Sequence, residues 1–376
     1  MPLNPPAPTI AAPDGRTPRV AILQTAFVGD VVFASPLVEA LKTRNPAAHV
    51  ALVVRPAQAE VAACIPGVDE VVAFDKRGAD RGLLGLWRTA RRLRGRFDIL
   101  LSLHRSSRSG LLAFFSGIPL RVGFRRGPWR LAYHRAEPWD EAQPAHLLQY
   151  LRLLETIGVV APTARLRLRP PDDRLRRIEA FRIRHRNLPD GPWVGLCIGS
   201  VWLTKRWPAV YFSSLAGMLR QRGLQPVLLG GPDERGIEAE IRSTGPAEIA
   251  SDVGGSLSDA AALLSNCSAA VGGDTGLAHM ARALDVPTVM LFGPTDPRAH
   301  LFDRRTRVLT ARVKCRPCSR HGPRRCPERH HDCMRLISPQ EVAEALLQLL
   351  APRAQTPRAL PTATAPVTPS GPETRP

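Results

Sequence analysis

Short apolar runs alternate with helix-patterned segments along this chain, and the series occurs twice. In the first half RVAILQ leads into a helical pattern through VVFASPLVEALK. Then come HVALVVR, a helix from Gln58, VDEVVAFD, a helix around LLGLWRTARRLR, and FDILLSLH. Runs this uniformly apolar read as strands buried on both faces, the pattern of a parallel sheet covered by helices. HLLQYLRLLETIGV and DRLRRIEAFRIRHRN follow as helical segments with no strand between them. The second series begins at PWVGLCIG and continues through a helix over 208–222, QPVLLGG, a helix after Pro232, SLSDAAALLSNCSA, AAVGGD, TGLAHMARALD and PTVMLFG. The expected fold is α/β, with two Rossmann-like doubly wound domains whose sheet edges face a shared cleft.

A length of 376 residues exceeds what one core usually fills, which agrees with two domains. The expected divisions are an N-terminal domain over 18–165, a helical linker over 166–190 and a C-terminal domain over 191–350. Residues 1–17 and 351–376 are rich in proline and poor in apolar side chains, and both are expected to be disordered. The N-terminal stretch lacks the basic and apolar regions of a signal peptide, and no apolar run approaches a membrane span. A cytoplasmic location is expected. Cys64, Cys197 and Cys267 sit singly in apolar segments, as reduced core thiols do.

The net charge of +19 suggests a polyanionic partner. Residues 76–135 hold fifteen Lys or Arg against two acids, Asp80 and Asp98, so the excess is concentrated in the first half. With 48 Arg against 4 Lys, an arginine-biased genome also accounts for part of it.

Three stretches carry candidate chemistry. In GGDTGLAHMARALD the two glycines permit a tight turn after a buried strand, and Asp274 and Thr275 fall at a helix N-terminus. Free amides and the helix dipole favour a phosphate there, within reach of Thr275 and His279, four residues apart on one face. Asp274 also reads as an ordinary N-cap and His279 as a satisfied surface residue. In GSVWLTKRWP, Ser200, Thr204 and Lys205 form a loop of small and hydroxyl residues ending in a cation, suited to a diphosphate. In LQTAFVGDVVFASP, Asp30 sits at the carboxyl edge of the first sheet, where a carboxylate can serve as general base or simply as a helix cap.

Together FVGDVVFASP, GSVWLTKRWP and GGDTGLAHMARALDVPTVMLFGPTDP resemble the ADP-heptose:lipopolysaccharide heptosyltransferases of glycosyltransferase family 9, nearest the branch that adds the second heptose. The resemblance runs over most of residues 19–350. It implies a GT-B fold and inverting transfer of L-glycero-D-manno-heptose from ADP-heptose to the lipopolysaccharide inner core, without an organic cofactor. The first domain would then take the acceptor and the second the nucleotide sugar. Asp30 matches the family's catalytic base. Ser200, Thr204, Lys205, Asp274, Thr275, Gly276 and His279 match its donor site, and Glu234 resembles the acid that holds the adenosine ribose. A lipid-anchored anionic acceptor gives the basic segment a role at the inner face of the membrane, with Arg105, Arg108, Arg121, Arg125 and Arg126 as candidate contacts.

One cluster stands outside this scheme. Cys315, Cys318, Cys326 and Cys333 lie within nineteen residues and suit a structural Zn or Fe site, with His321, His330 or His331 as substitutes. They also read as reduced thiols of a short loop, and some relatives that modify autotransporter proteins carry a four-cysteine metal finger. Two rivals follow: a same-fold transferase with a protein hydroxyl acceptor, and a zinc-knuckle nucleic-acid-binding protein. The second lacks stacking aromatics and leaves GGDTGLAH unexplained, so no nucleic-acid partner is expected.

Overall fold

The computed structural model describes residues 17–246 and 248–351. The disordered arm and tail expected over 1–17 and 351–376 lie outside the described residues, apart from Thr17 and Ala351.

Two six-stranded sheets form. The first contains β1 (Arg19–Leu23), β2 (His49–Val54), β3 (Glu70–Ala73), β4 (Ile99–Ser102), β5 (Leu120–Phe124) and β6 (Arg135–Glu137), ordered β3-β2-β1-β4-β5-β6. The second contains β7 (Trp193–Cys197), β8 (Gln225–Leu229), β9 (Ala250–Ser251), β10 (Ala269–Gly273), β11 (Thr288–Leu291) and β12 (Thr306–Leu309), ordered β12-β11-β10-β7-β8-β9. Read from the opposite edge, the second order repeats the first. The central pairings are parallel, with Val20 opposite both Val50 and Ile99, and Ala270 opposite both Gly195 and Thr288. Strands β2 and β8 are almost wholly buried, as continuous apolar runs between two helix layers should be.

The helix expected through VVFASPLVEALK is two helices, Val28–Val32 and Ser35–Arg44. Pro36 explains the break, because proline fits the first turn of a helix and disrupts an interior. LLAFFS, expected only as a short apolar run, belongs to the helix Ser107–Ser116, which ends at Gly117 with φ +63° in the left-handed conformation open to glycine. Helix Asp172–Arg184 lies in the expected linker and packs on helix Leu257–Ser265 of the second half, where Arg174 pairs with Asp259 at 3.1 Å. Residues 167 and 168 bridge the halves: Arg167 meets Glu39 of the first at 3.0 Å, and the Leu168 amide donates to Ala283 O of the second at 2.9 Å. One apolar cluster runs from Val20 and Ile22 to Val227 and Met280, so the halves share a core.

Candidate active site

Both sheets reverse strand order at one place, between β1 and β4 and between β7 and β10. Loops leaving neighbouring strands in opposite directions open a crevice there. The three chemistry-bearing stretches leave β1, β7 and β10, so each arrives at a crevice. They converge on one cleft of about 330 Å³ lined from both halves, with Asp30, Arg55 and His146 on one side and Ser200, Lys205, Glu234 and Asp274 on the other.

Asp274 is the centre of the second wall. Its Oδ2 receives Lys205 Nζ at 2.5 Å and the Thr295 hydroxyl at 2.9 Å, and its Oδ1 faces His279 Nε2 at 3.1 Å and His300 Nε2 at 3.2 Å. Burial pushes its pKa upward, but hydrogen bonds from both imidazoles and the Lys205 charge outweigh this and hold the carboxyl well below the usual range. Burial also lowers His279 to about 3, so it is neutral, donating from Nε2 to Asp274 while Nδ1 accepts from Arg282 at 3.1 Å. One buried carboxylate thus faces an ammonium, a hydroxyl and two imidazoles. Next to it Thr275 caps helix Gly276–Ala283 with extended backbone, and its Oγ1 is buried with no hydrogen-bond partner in the protein. An unmet hydroxyl beside free helix amides suits an anionic oxygen.

Asp30 lies in helix Val28–Val32, partly buried in the opposite wall. Its Oδ2 accepts from the Phe27 amide at 3.1 Å, and the Tyr150 hydroxyl stands 3.5 Å from Oδ1. Burial is the largest influence and raises its pKa from the usual 3.8, although the Phe27 amide, His321 and His300 act the other way. Among the groups around it, His146 is lowered to about 4, chiefly by burial and then by His300 and His321. A carboxylate less solvated than usual, directed into a cleft, has the properties of a general base.

With this geometry in view, comparison with known proteins is decisive. The sequence profile of glycosyltransferase family 9 (heptosyltransferase) matches residues 86–327. The chain belongs to glycosyltransferase family 9. It is similar to the lipooligosaccharide heptosyltransferase 2 of Haemophilus influenzae, at 25% identity over 89% of this chain and 99% of that one. It is also similar to the lipopolysaccharide heptosyltransferase 1 of Pseudomonas aeruginosa, at 29% identity with the same coverage. A solved family 9 glycosyl transferase from Veillonella parvula superposes with TM-score 0.79 at 24% identity, covering 89% of this chain and 97% of that one, and shares its GT-B fold.

Within this family 9 glycosyltransferase several expected residues meet at the cleft and others do not. Ser200 and Glu234 line it; Glu234 takes Arg206 at 3.2 Å and the Gly231 amide at 2.8 Å. Gly199 must lack a side chain, since a Cβ there would lie 2.5 Å from Glu234. Thr204 departs from its expected donor contact: it is absent from the cleft lining, and its hydroxyl donates to Pro323 O at 2.5 Å. Asp274 and His279 also differ from direct phosphate contacts, because their polar atoms are already engaged with one another, Lys205, Thr295, His300 and Arg282.

None of the five candidate arginines lines the cleft. Arg121, at the start of β5 and so at the wrong sheet edge, spends its guanidinium on the carbonyls of Ala132 and Ile118. Arg125 donates to Ala136 O, and Arg108 to Asp80 O. Arg126 donates to Arg105 O at 2.7 Å, and Arg105 stacks over Trp139 at 4.2 Å.

The four cysteines of the expected metal site lie close enough to act on one another. Cys333 is buried and its pKa is pushed to about 11, by burial and then by the thiols of Cys318, Cys315 and Cys326. Yet among the described residues the donor atoms within mutual coordination reach are those of Asp274, His279 and His300, with no cysteine in the set. The set at Asp274 is filled by the Lys205 ammonium and imidazole N–H groups. The cysteine segment also braces the donor-side loop. His331 Nε2 meets Thr204 O at 2.8 Å, Gly322 packs on Lys205 and Trp202, and Arg320 and His321 enter the cleft.

Sequence reasoning passed over Thr295, His300, Arg320, Arg55 and His146, and offered His321 only as a metal ligand. Thr295 lies within the quoted PTVMLFGPTDP, directly after the strand beside β10, and that adjacency was the available signal.

Proposed function

We propose that this enzyme transfers L-glycero-D-manno-heptose from ADP-heptose to the inner core of lipopolysaccharide, with inversion at the anomeric carbon. The observation that carries the reading is the arrangement of Asp30 in one wall opposite Lys205, Thr275 and the Gly276–Ala283 helix terminus in the other. Asp30 takes the proton of the acceptor hydroxyl as its oxygen attacks the anomeric carbon. The carbon–oxygen bond to ADP breaks as the new bond forms, and the electron pair leaves on the diphosphate. Lys205, the Thr275 hydroxyl and the helix amides stabilise that charge. A diphosphate departs without protonation, so one carboxylate is enough, unlike glycoside hydrolysis with its paired carboxyls.

Relatives named for both heptose additions match this chain at similar identity. The motif resemblance supports the second addition. Glu234 is assigned to the adenosine ribose, the first half (18–165) to the acceptor and the second (191–350) to the donor, joined by 166–190. The enzyme works at the cytoplasmic face of the inner membrane, where a lipid-anchored acceptor is reached; no described helix is long and apolar enough to cross a bilayer. The test is purified enzyme with ADP-heptose and core acceptors ending before or after the first heptose. Transfer to neither acceptor overturns the reading.

A further inference from the structure

The helix Gly82–Leu93 buries Leu86, Ala90 and Leu93 against the sheet, as its pattern predicts, yet it also turns large apolar side chains to solvent. Leu83 is 74% exposed and Leu84 68%, and Trp87 is exposed beside them. The neighbouring helix Ser107–Ser116 adds exposed Phe114 and Phe115, and the turn Gly127–Ala132, packed against that helix, adds Leu131 at 74%. Single exposed leucines are ordinary; six large apolar side chains on three elements packed side by side are not.

Charge surrounds this face. Arg81, Arg88 and Arg91 are exposed on or beside the first helix and Arg130 on the turn, while Arg91 stacks over Trp87 at 4.8 Å. Of the two acids in residues 76–135, Asp80 is buried and paired with Arg92 at 3.1 Å, and Asp98 is buried with a carboxylate oxygen accepting the Arg19 amide. An apolar face ringed by unopposed arginines matches one partner chemistry: a bilayer with anionic headgroups, where leucine and tryptophan enter the headgroup boundary and guanidinium groups meet phosphates.

We propose that the face formed by helices Gly82–Leu93 and Ser107–Ser116 with the Gly127–Ala132 turn docks this enzyme onto an anionic membrane surface. It rests on the functional reading only in assigning this half to a lipid-anchored acceptor; the docking itself follows from apolar exposure and charge. A second copy of the chain is a poorer occupant, since two such faces would bring their arginines together.

The test uses the full-length protein without nucleotide sugar, sedimented with vesicles of phosphatidylcholine alone or mixed with phosphatidylglycerol. Wild type should partition onto the anionic vesicles at least about tenfold better than onto the neutral ones, and less as salt rises. Leu83→Ser/Leu84→Ser should lose about tenfold in partitioning through lost apolar insertion. Arg88→Glu/Arg91→Glu should lose at least as much and only on anionic vesicles. Because these side chains are exposed, both variants should keep wild-type circular dichroism and wild-type transfer to a soluble, deacylated acceptor. The proposal is overturned if wild type ignores anionic vesicles, if both variants bind as wild type does, or if the substitutions abolish a dimer in sedimentation velocity while leaving vesicle binding intact. Vesicle binding without any transfer would count against the functional reading and leave the docking face standing.

Discussion

Lys205 Nζ stands 2.5 Å from Asp274 Oδ2, tying the loop after β7 to the turn after β10. Both side chains are nearly buried, at 11% and 8% exposure, so neither has water as a substitute partner. Lys205→Met takes the ammonium away from the buried carboxylate. The expected result is loss of about 3–5 kcal/mol of stability, as for other broken buried pairs, with weakened ADP binding by calorimetry. A variant that binds ADP like wild type removes Lys205 from the donor site.

Asp274 ties its contribution to pH. Its pKa is depressed in the folded state, so its stabilisation is fully present above the usual carboxylate value of 3.8 and is lost as pH falls through the folded value. Asp274→Asn should therefore melt well below wild type at pH 7, with the gap narrowing in acid. Equal melting temperatures at neutral pH would contradict the central role given to this carboxylate.

Asp30 behaves oppositely, because burial raises its pKa. Between 3.8 and its folded value the folded state binds the proton more tightly, so ionisation costs stability as pH rises through that window, and the cost is constant above it. Asp30→Asn should match or exceed wild type in melting temperature at pH 7. It should lose about 10²- to 10⁴-fold in turnover, the usual contribution of a general base, while ADP affinity is retained. Wild-type turnover should rise with pH across the Asp30 titration, and that rise should vanish in the variant.

Thr204 separates the structural reading from the sequence motif. Its hydroxyl serves Pro323 O, so Thr204→Val should cost about 1 kcal/mol for one lost hydrogen bond and increase protease sensitivity near Pro323. ADP affinity should stay within about twofold, since 1.4 kcal/mol would be needed for tenfold. A tenfold loss would restore the hydroxyl to the donor site.

Gly276 meets the other half of the molecule: a Cβ there would lie 2.6 Å from Val28 Cβ, two residues from Asp30. Gly276→Ala should cost about 1–3 kcal/mol by overpacking. It should also lower turnover by about 10²-fold, because a shift near 1 Å in a reacting group is enough to do so. Unchanged turnover would mean the halves adjust freely at this contact.

The duplicated sheet was legible because parallel strands buried on both faces leave continuous apolar runs such as HVALVV and QPVLL. The three loops were legible because each follows such a strand. The partners of Asp274 were less so: Thr295 and His300 reach it only through the pairing of β10 with β11, which local pattern does not reveal. Arg320 and His321 reach the cleft because Pro323 and His331 dock on Thr204, a contact more than a hundred residues apart in the chain. The expected role of Arg121 failed for a simpler reason, since one strand carries residues at both sheet edges and only one edge faces the cleft.

Gly29 and Gly276 bring helices Val28–Val32 and Gly276–Ala283 together at the floor of the cleft, with His279 against one glycine and Val28 against the other. A lever turning on that contact moves its tips far and its fulcrum little. Rocking of the two lobes would widen the mouth for sugar and lipid to come and go, while the proton acceptor and the departing diphosphate keep nearly constant spacing near the pivot.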